Sequence, residues 1–306
     1  RSYLLTLLQE LADLDDENSP VLIMAIEEPE LYQHPPQARY LSEVLQELSR
    51  DQSQIILCSH SPHFIPGDDF HNVRLVRESG APASSAVSSL KYDELASELE
   101  KAGEKPVKES GMVAKLYPTL RPEISEMFFS KRLVLVEGVE DVAYITSYIQ
   151  LMDRHNDFRR SGFHIVPVGG KNELIKPLAI AKLLDIEVFV VCDADTDKTE
   201  ESEVGKHKKD NAAILHLLGH DKGENWPDYD VKKHNLRMWK TNITKIVGPE
   251  LGEQWKQHVD QAAAYYGNAG GLNKNPLAVS RALESAWDSG LKSEALLDLV
   301  NEMLSA

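Results

Sequence analysis

Apolar residues in this chain follow two alternating rhythms: short continuous runs, and longer stretches with apolar positions three and four apart. The first rhythm predicts buried strands and the second helices. A helix is predicted over Ser2–Asp13, then a polar break over Asp15–Pro20. Strands follow at Val21–Ile26, Ile55–Cys58 and Val73–Val76. Between the first two, Pro35-Pro36 opens a helix whose apolar positions are Ala38, Leu41, Val44, Leu45 and Leu48. Strands alternating with helices imply a parallel α/β sheet, here running to about residue 78.

Residues 79–130 read as a connector: a Gly, Pro, Ala and Ser-rich loop over Ser79–Ser89, then helical stretches Tyr92–Lys101 and Met112–Phe129, broken by Pro106, Pro118 and Pro122. A second α/β unit is predicted over 131–245. It comprises strand Leu133–Val136, helix Glu140–Met152, strand Phe163–Val168, turn Gly169-Gly170, helix Glu173–Leu184 and strand Val188–Cys192. A charged loop (Thr196–Asp210), a short helix (Ala212–Leu218), a further loop (Gly219–Asp230) and a last strand (Leu236–Trp239) complete it. From Ile243 the spacing is helical, with a break over Gly267–Pro276, so 246–306 is a helical tail.

At 306 residues the chain has room for about two domains. A net charge of -16 argues against a generally basic nucleic-acid-binding surface, yet leaves room for a local basic groove or a metal-bridged phosphate contact. Cys58 and Cys192, the two cysteines, end separate strand-like runs and supply neither a disulfide framework nor zinc-ligand spacing. No apolar run approaches the roughly 20 residues that span a bilayer, and no signal-peptide pattern opens the chain. A soluble cytoplasmic protein without membrane contact is expected. Because it opens on Arg1 inside a helical pattern, it reads as part of something longer.

Acids cluster where the strands of the second unit end: Glu137 with Asp141 four residues on, then Asp193 and Asp195. Ligands of a parallel sheet bind where its strands terminate. Hard cations such as Mg²⁺ and Mn²⁺ take oxygen ligands, and phosphoryl-transfer sites need several carboxylates converging from rigid elements. Gly138 allows a sharp turn that puts Asp141 in the first turn of the next helix. Alone, either pair reads equally well as a turn former or a helix cap; together, on strands of one sheet, they read as a site.

The strand ending in Glu137-Gly138, then Asp141, then a strand ending in Asp193-Ala194-Asp195, resembles the Toprim fold shared by topoisomerases, primases and a group of nucleases. The resemblance implies that Glu137, Asp193 and Asp195 hold divalent ions, with Asp141 the further acid of nuclease members. Lys274 resembles a catalytic lysine that follows the Toprim core; its alternative is an ordinary loop lysine. One more acid is usual after the last strand. Trp239-Lys240-Thr241-Asn242 supplies none, so Asn242 or Thr244 substitutes as an oxygen ligand or a site is weakened. Lys198, Lys206, Lys208, Lys209, Lys232, Lys233 and Arg237 form the densest basic cluster, readable as a DNA-backbone surface or as a solvated face. Gly169-Gly170-Lys171 either approaches a phosphate or turns the chain.

Ile23–Glu30 resembles the Walker B strand of an ABC-type ATPase, with Glu27 where Asp is usual and Glu28 as the residue that polarises water. Ser59-His60-Ser61 resembles the switch histidine, and Glu30–Pro35 takes the place of the D-loop. No Gly-x-x-x-x-Gly-Lys-Ser/Thr loop occurs, so this stretch by itself is not expected to hydrolyse ATP. An SMC-like ATPase part (1–78) joined to a Toprim domain resembles the OLD (overcoming lysogenization defect) nucleases. The fold implied is α/β, a Toprim sheet flanked by helices beside a partial ABC-ATPase unit and an extra helical region. The function implied is metal-dependent DNA endonuclease or nickase activity with two Mg²⁺ or Mn²⁺ ions, regulated in the full-length protein by an ATP-binding, dimerising ATPase. A UvrD-like helicase is a candidate partner. The competing reading is a non-catalytic ATP-driven DNA clamp with a scaffold Toprim unit.

Overall fold

A computed structural model describes residues 23–50, 53–79, 82 and 84–305. The helix expected over Ser2–Asp13 and the break over Asp15–Pro20 lie outside them. The chain separates into compact units 1–66 and 67–306, dividing ahead of the boundary expected near residue 78.

In the first unit, β1 (Ile23–Glu27) pairs in parallel with β2 (Gln54–Cys58), Glu27 opposite Cys58. Helix α1 (Pro35–Arg50) crosses between them and buries Ala38, Leu41, Leu45 and Leu48, the stripe its apolar spacing predicts.

In the second unit, β3 (Arg74–Ser79) and β4 (Ser84–Ser89) form an antiparallel hairpin. The hairpin's second strand replaces part of the loop expected over Ser79–Ser89. A serine-rich strand carries no apolar run, and its pairing becomes legible only across the ladder, where Val76 faces Val87. Helices α2 (Tyr92–Lys101), α3 (Glu109–Leu116) and α4 (Pro122–Ser125) and a 3₁₀ turn (Glu126–Phe129) lead to the main sheet.

That sheet has β5 (Arg132–Val136) at its centre and the order β6-β5-β7-β9-β8, with β6 at Phe163–Pro167, β7 at Glu187–Asp193, β8 at Val231–Lys233 and β9 at Leu236–Trp239. All neighbours run parallel except β8, an antiparallel edge strand absent from the sequence reading. Leu133 through Val136 are completely buried, as a strand covered on both faces requires. Helices α5 (Val139–Leu151), α6 (His155–Arg160) and α7 (Lys171–Leu183) connect the strands, followed by α8 (Glu201–Leu217). Helix α8 replaces the charged loop expected over Thr196–Asp210. Its first turns stay solvated and only Asp210, Asn211, Ala213, Ile214, Leu215 and Leu217 are buried, so no buried apolar residue comes before Ala213.

Helices α9 (Ile243–Glu250), α10 (Trp255–Tyr265), α11 (Pro276–Asp288) and α12 (Glu294–Ser305) form the tail and share one core with α5 and the sheet. The Tyr148 hydroxyl accepts a hydrogen bond from Ser293 N at 2.7 Å, and its ring meets Trp287 edge-on at 5.7 Å.

Arg237 corrects a sequence expectation. Charge density groups it with a DNA-binding surface, but its side chain is 0% exposed, stacks 4.9 Å over Trp239 and pairs with Glu302 of α12 at 2.5 Å. It ties the last parallel strand to the tail. Arg237→Ala is therefore expected to destabilise the second unit by about 3 kcal/mol in urea unfolding, the cost of leaving a partly buried partner uncompensated.

Candidate active site

Glu137 follows β5 directly, and its Oε1 reaches across to the adjacent strand to accept a hydrogen bond from Asp193 N at 2.8 Å. That bond joins the two strand ends on which the site is built. The chain then turns through Gly138 into α5, where Asp141 Oδ2 accepts from Gly138 N at 2.8 Å. Asp141 thereby satisfies an amide at the helix start and is held, 7% exposed, beside Glu137.

Asp193 closes β7. Its Oδ1 is buried with no hydrogen-bond partner. Two residues on, Asp195 adopts a left-handed backbone (φ 57), and its amide donates to Thr241 O at 3.2 Å. Its Oδ2 lies 2.7 Å from Lys171 Nζ and 3.2 Å from His207 Nδ1.

Glu137, Asp141, Asp193, Asp195, Asn242 and Lys274 all line one cavity of about 1120 Å³. Burial pushes the proton affinities of Glu137 and Asp193 up, and the neighbouring acids push them further. Lys171 and the Asp193 amide oppose this at Glu137. Burial likewise raises Asp141 from 3.8 to about 6, against its bond from Gly138 and the charge of Lys274. Three partly desolvated carboxylates with an unpartnered oxygen among them are costly unless a cation arrives.

All donors are hard oxygens, the set that Mg²⁺ or Mn²⁺ takes, so the residues fit such an ion. Among the described residues no three His, Cys, Asp or Glu side chains stand close enough together to hold an ion as they lie. Asp195 is drawn instead to Lys171 and His207.

Asn242 differs from expectation. Its Oδ1 caps α9, accepting from Lys245 N at 3.0 Å and Thr244 Oγ1 at 2.7 Å. Both lone pairs are spent, and Thr244 is committed to the same cap, so neither replaces the missing acid. Lys274 does stand at the cavity wall, where its charge acts on Glu140 and Asp141.

The expected basic surface is dispersed. Lys206 is exposed on α8. Lys208 sits 5.3 Å over Trp226, Lys209 pairs with Glu104 at 2.7 Å, Lys232 with Asp298 at 2.8 Å and Lys233 with Glu224 at 3.0 Å. The cations lining the acidic cavity are Lys198, Arg121 and Lys274. Arg121 came from the connector, where nothing in the local sequence marked it. His207 and Asn211 were also missed: His207 stands on the stretch expected to be a loop, and Asn211 falls between that loop and the short helix expected from Ala212. Lys171 had a signal in the Gly-Gly-Lys turn.

In the first unit, Glu28 is left-handed (φ 44) and its amide donates to Cys58 O at 2.8 Å. His60 Nε2 lies 3.8 Å from Glu28 Oε1. Glu30 anchors the partner loop, accepting from His60 N at 2.8 Å and Ser59 Oγ at 2.9 Å. The structure thus brings Glu28 and His60 together, with Glu27 at the strand end.

Residues 128–195 match the family described as "Overcoming lysogenization defect protein-like, TOPRIM domain". The second unit contains an OLD-like Toprim domain. Residues 2–65 match the family described as "AAA ATPase domain". The chain is 33% identical to an "OLD nuclease" of Thermus scotoductus over 61% of this chain and 34% of that protein. It is 25% identical to "Endonuclease GajA" of Bacillus cereus over 66% of this chain and 29% of that protein. With the "Old nuclease" of Escherichia phage P2 it shares 26% identity over 64% of this chain and 32% of that protein. The chain therefore spans about a third of the length of each of these relatives. Glu137, Asp141, Asp193 and Asp195 all fall within the matched Toprim segment, whereas Lys274 and Asn242 lie beyond it.

Proposed function

We propose that the Toprim domain is a divalent-ion-dependent DNA endonuclease or nickase. The observation that carries this reading is the convergence of Glu137, Asp141 and Asp193 from two adjacent strand ends and a helix start into one cavity, with a buried Asp193 oxygen lacking a partner. The nuclease relatives support the same reading.

Glu137, Asp141 and Asp193 would hold Mg²⁺ or Mn²⁺, with Asp195 beside them. When bound, the ion supplies Lewis-acid stabilisation of phosphoryl charge and lowers the pKa of a coordinated water. Glu137 keeps the ends of β5 and β7 in register through its bond to the Asp193 amide, so the acids stay preorganised. Lys274, exposed at the cavity wall, presents an ammonium to the phosphate as negative charge develops. Arg121 and Lys198 line the same cavity and contact the DNA backbone.

In the longer protein, the ATPase carrying Glu27, Glu28 and His60 binds ATP, dimerises the chain and regulates cleavage. A UvrD-like helicase is its candidate partner. The clamp alternative draws on Asn242 being a cap where the Toprim resemblance implies an acid. Against it, a scaffold gains nothing from keeping several desolvated carboxylates together.

The test is supercoiled plasmid incubated with the chain in EDTA, then with excess Mn²⁺ or Mg²⁺. Nicked or linear product after ion addition, and none in EDTA, is the expected result. Intact plasmid under both conditions would leave the clamp reading in its place.

A further inference from the structure

Lys171 is the first residue of α7, reached through Gly169 (φ 100) and Gly170 (φ 141). Both angles lie where a side chain is strained, so the two glycines let the chain reverse after β6 and aim this lysine into the sheet edge. The side chain is 5% exposed and its ammonium lies 2.7 Å from Asp195 Oδ2. It is anchored independently of that acid: Nζ also donates to Asn211 Oδ1 at 3.2 Å. Asn211 is 0% exposed, and its Nδ2 donates to Ala194 O and Asn225 O, both at 3.0 Å. A buried lysine held by a buried, fully engaged amide is a built part of the cluster, unlike a surface lysine that swings away.

The same Asp195 oxygen is approached by His207 Nδ1 at 3.2 Å, and Asn242, at the position where a further acid is expected, is committed to its cap. The cluster therefore divides into Glu137, Asp141 and Asp193, which Lys171 and Lys274 influence only through space, and Asp195, which Lys171 contacts directly.

We propose that Lys171 is a resident counter-ion: its ammonium takes the charge-neutralising place beside Asp195 that a second divalent ion would otherwise hold, so the chain loads one divalent ion, on Glu137, Asp141 and Asp193. This rests on the metal-dependent reading above. Lys171 acts through Asp195 and is a positioning residue.

The test is Mn²⁺ binding to the chain without DNA, read by electron paramagnetic resonance of free Mn²⁺. Wild type is expected to bind about one ion per chain, Lys171→Met about two, Lys171→Arg about one, and Asp193→Asn none. Two ions on wild type, or one on a folded Lys171→Met protein, overturns the counter-ion role while leaving metal dependence intact. If Lys171→Met does not fold, the wild-type and Lys171→Arg counts decide, two ions on either being contrary. No ion on wild type removes the proposal together with the metal-dependent reading.

Discussion

Glu137→Gln is expected to cut supercoiled plasmid about a thousandfold more slowly than wild type, the scale of losing one preorganised electrostatic contact at a reacting centre. Glutamine keeps an oxygen where Oε1 now accepts the Asp193 amide, so β5 and β7 remain joined at their ends. What disappears is negative charge at the position that burial and the neighbouring acids already make unfavourable for it. A circular-dichroism spectrum and melting curve close to wild type, with cleavage lost, separates removal of an ion ligand from loss of fold. Cleavage at the wild-type rate would remove Glu137 from the chemistry.

Asp141→Asn is expected to raise the melting temperature of chelator-treated protein by about 8 °C at pH 8, on the order of 3 kcal/mol. Burial raises the Asp141 carboxyl from 3.8 to about 6 in the folded chain. The folded state thus binds its proton more tightly than the unfolded state, and wild type loses stability as pH rises from about 3.8 to about 6. Above that window the cost is complete; below it the carboxyl is neutral in both states. Asparagine carries no such cost and still offers an oxygen to Gly138 N, so its advantage should be full above pH 6 and vanish below pH 4. Saturating Mn²⁺ should reverse the order, because an ion that binds only the folded state stabilises wild type by mass action. A variant less stable than wild type at pH 8 in chelator would mean that the acid cluster carries no stored electrostatic cost.

The parallel core was legible because strands covered on both faces are written as continuous apolar runs, as in Leu133–Val136 and Val188–Cys192. The acids following those runs were legible for the same reason: a strand's end fixes where its next side chains emerge. Elements that bury little were hidden. The serine-rich β4, the three-residue edge strand β8 and the solvated first turns of α8 show no apolar period, and they exist through ladder bonds and a half-buried face. Lysine and arginine carry the largest misreading. Local charge density grouped Arg237 with Lys232 and Lys233, but alternate residues of a strand point to opposite faces, and β9 has no solvent face at all. Arg121 and Lys171 reach the site from distant segments, a relation that only the folded chain supplies.

Whether the carboxylates ending β5 and β7 form a divalent-ion nuclease centre is decided by the rate at which wild type and Asp193→Asn, at equal concentration and matched folding, convert supercoiled plasmid to nicked or linear product in Mn²⁺. Wild type is expected to cleave and the variant to lose cleavage by about a hundredfold or more. Equal cleavage by both proteins would contradict such a centre.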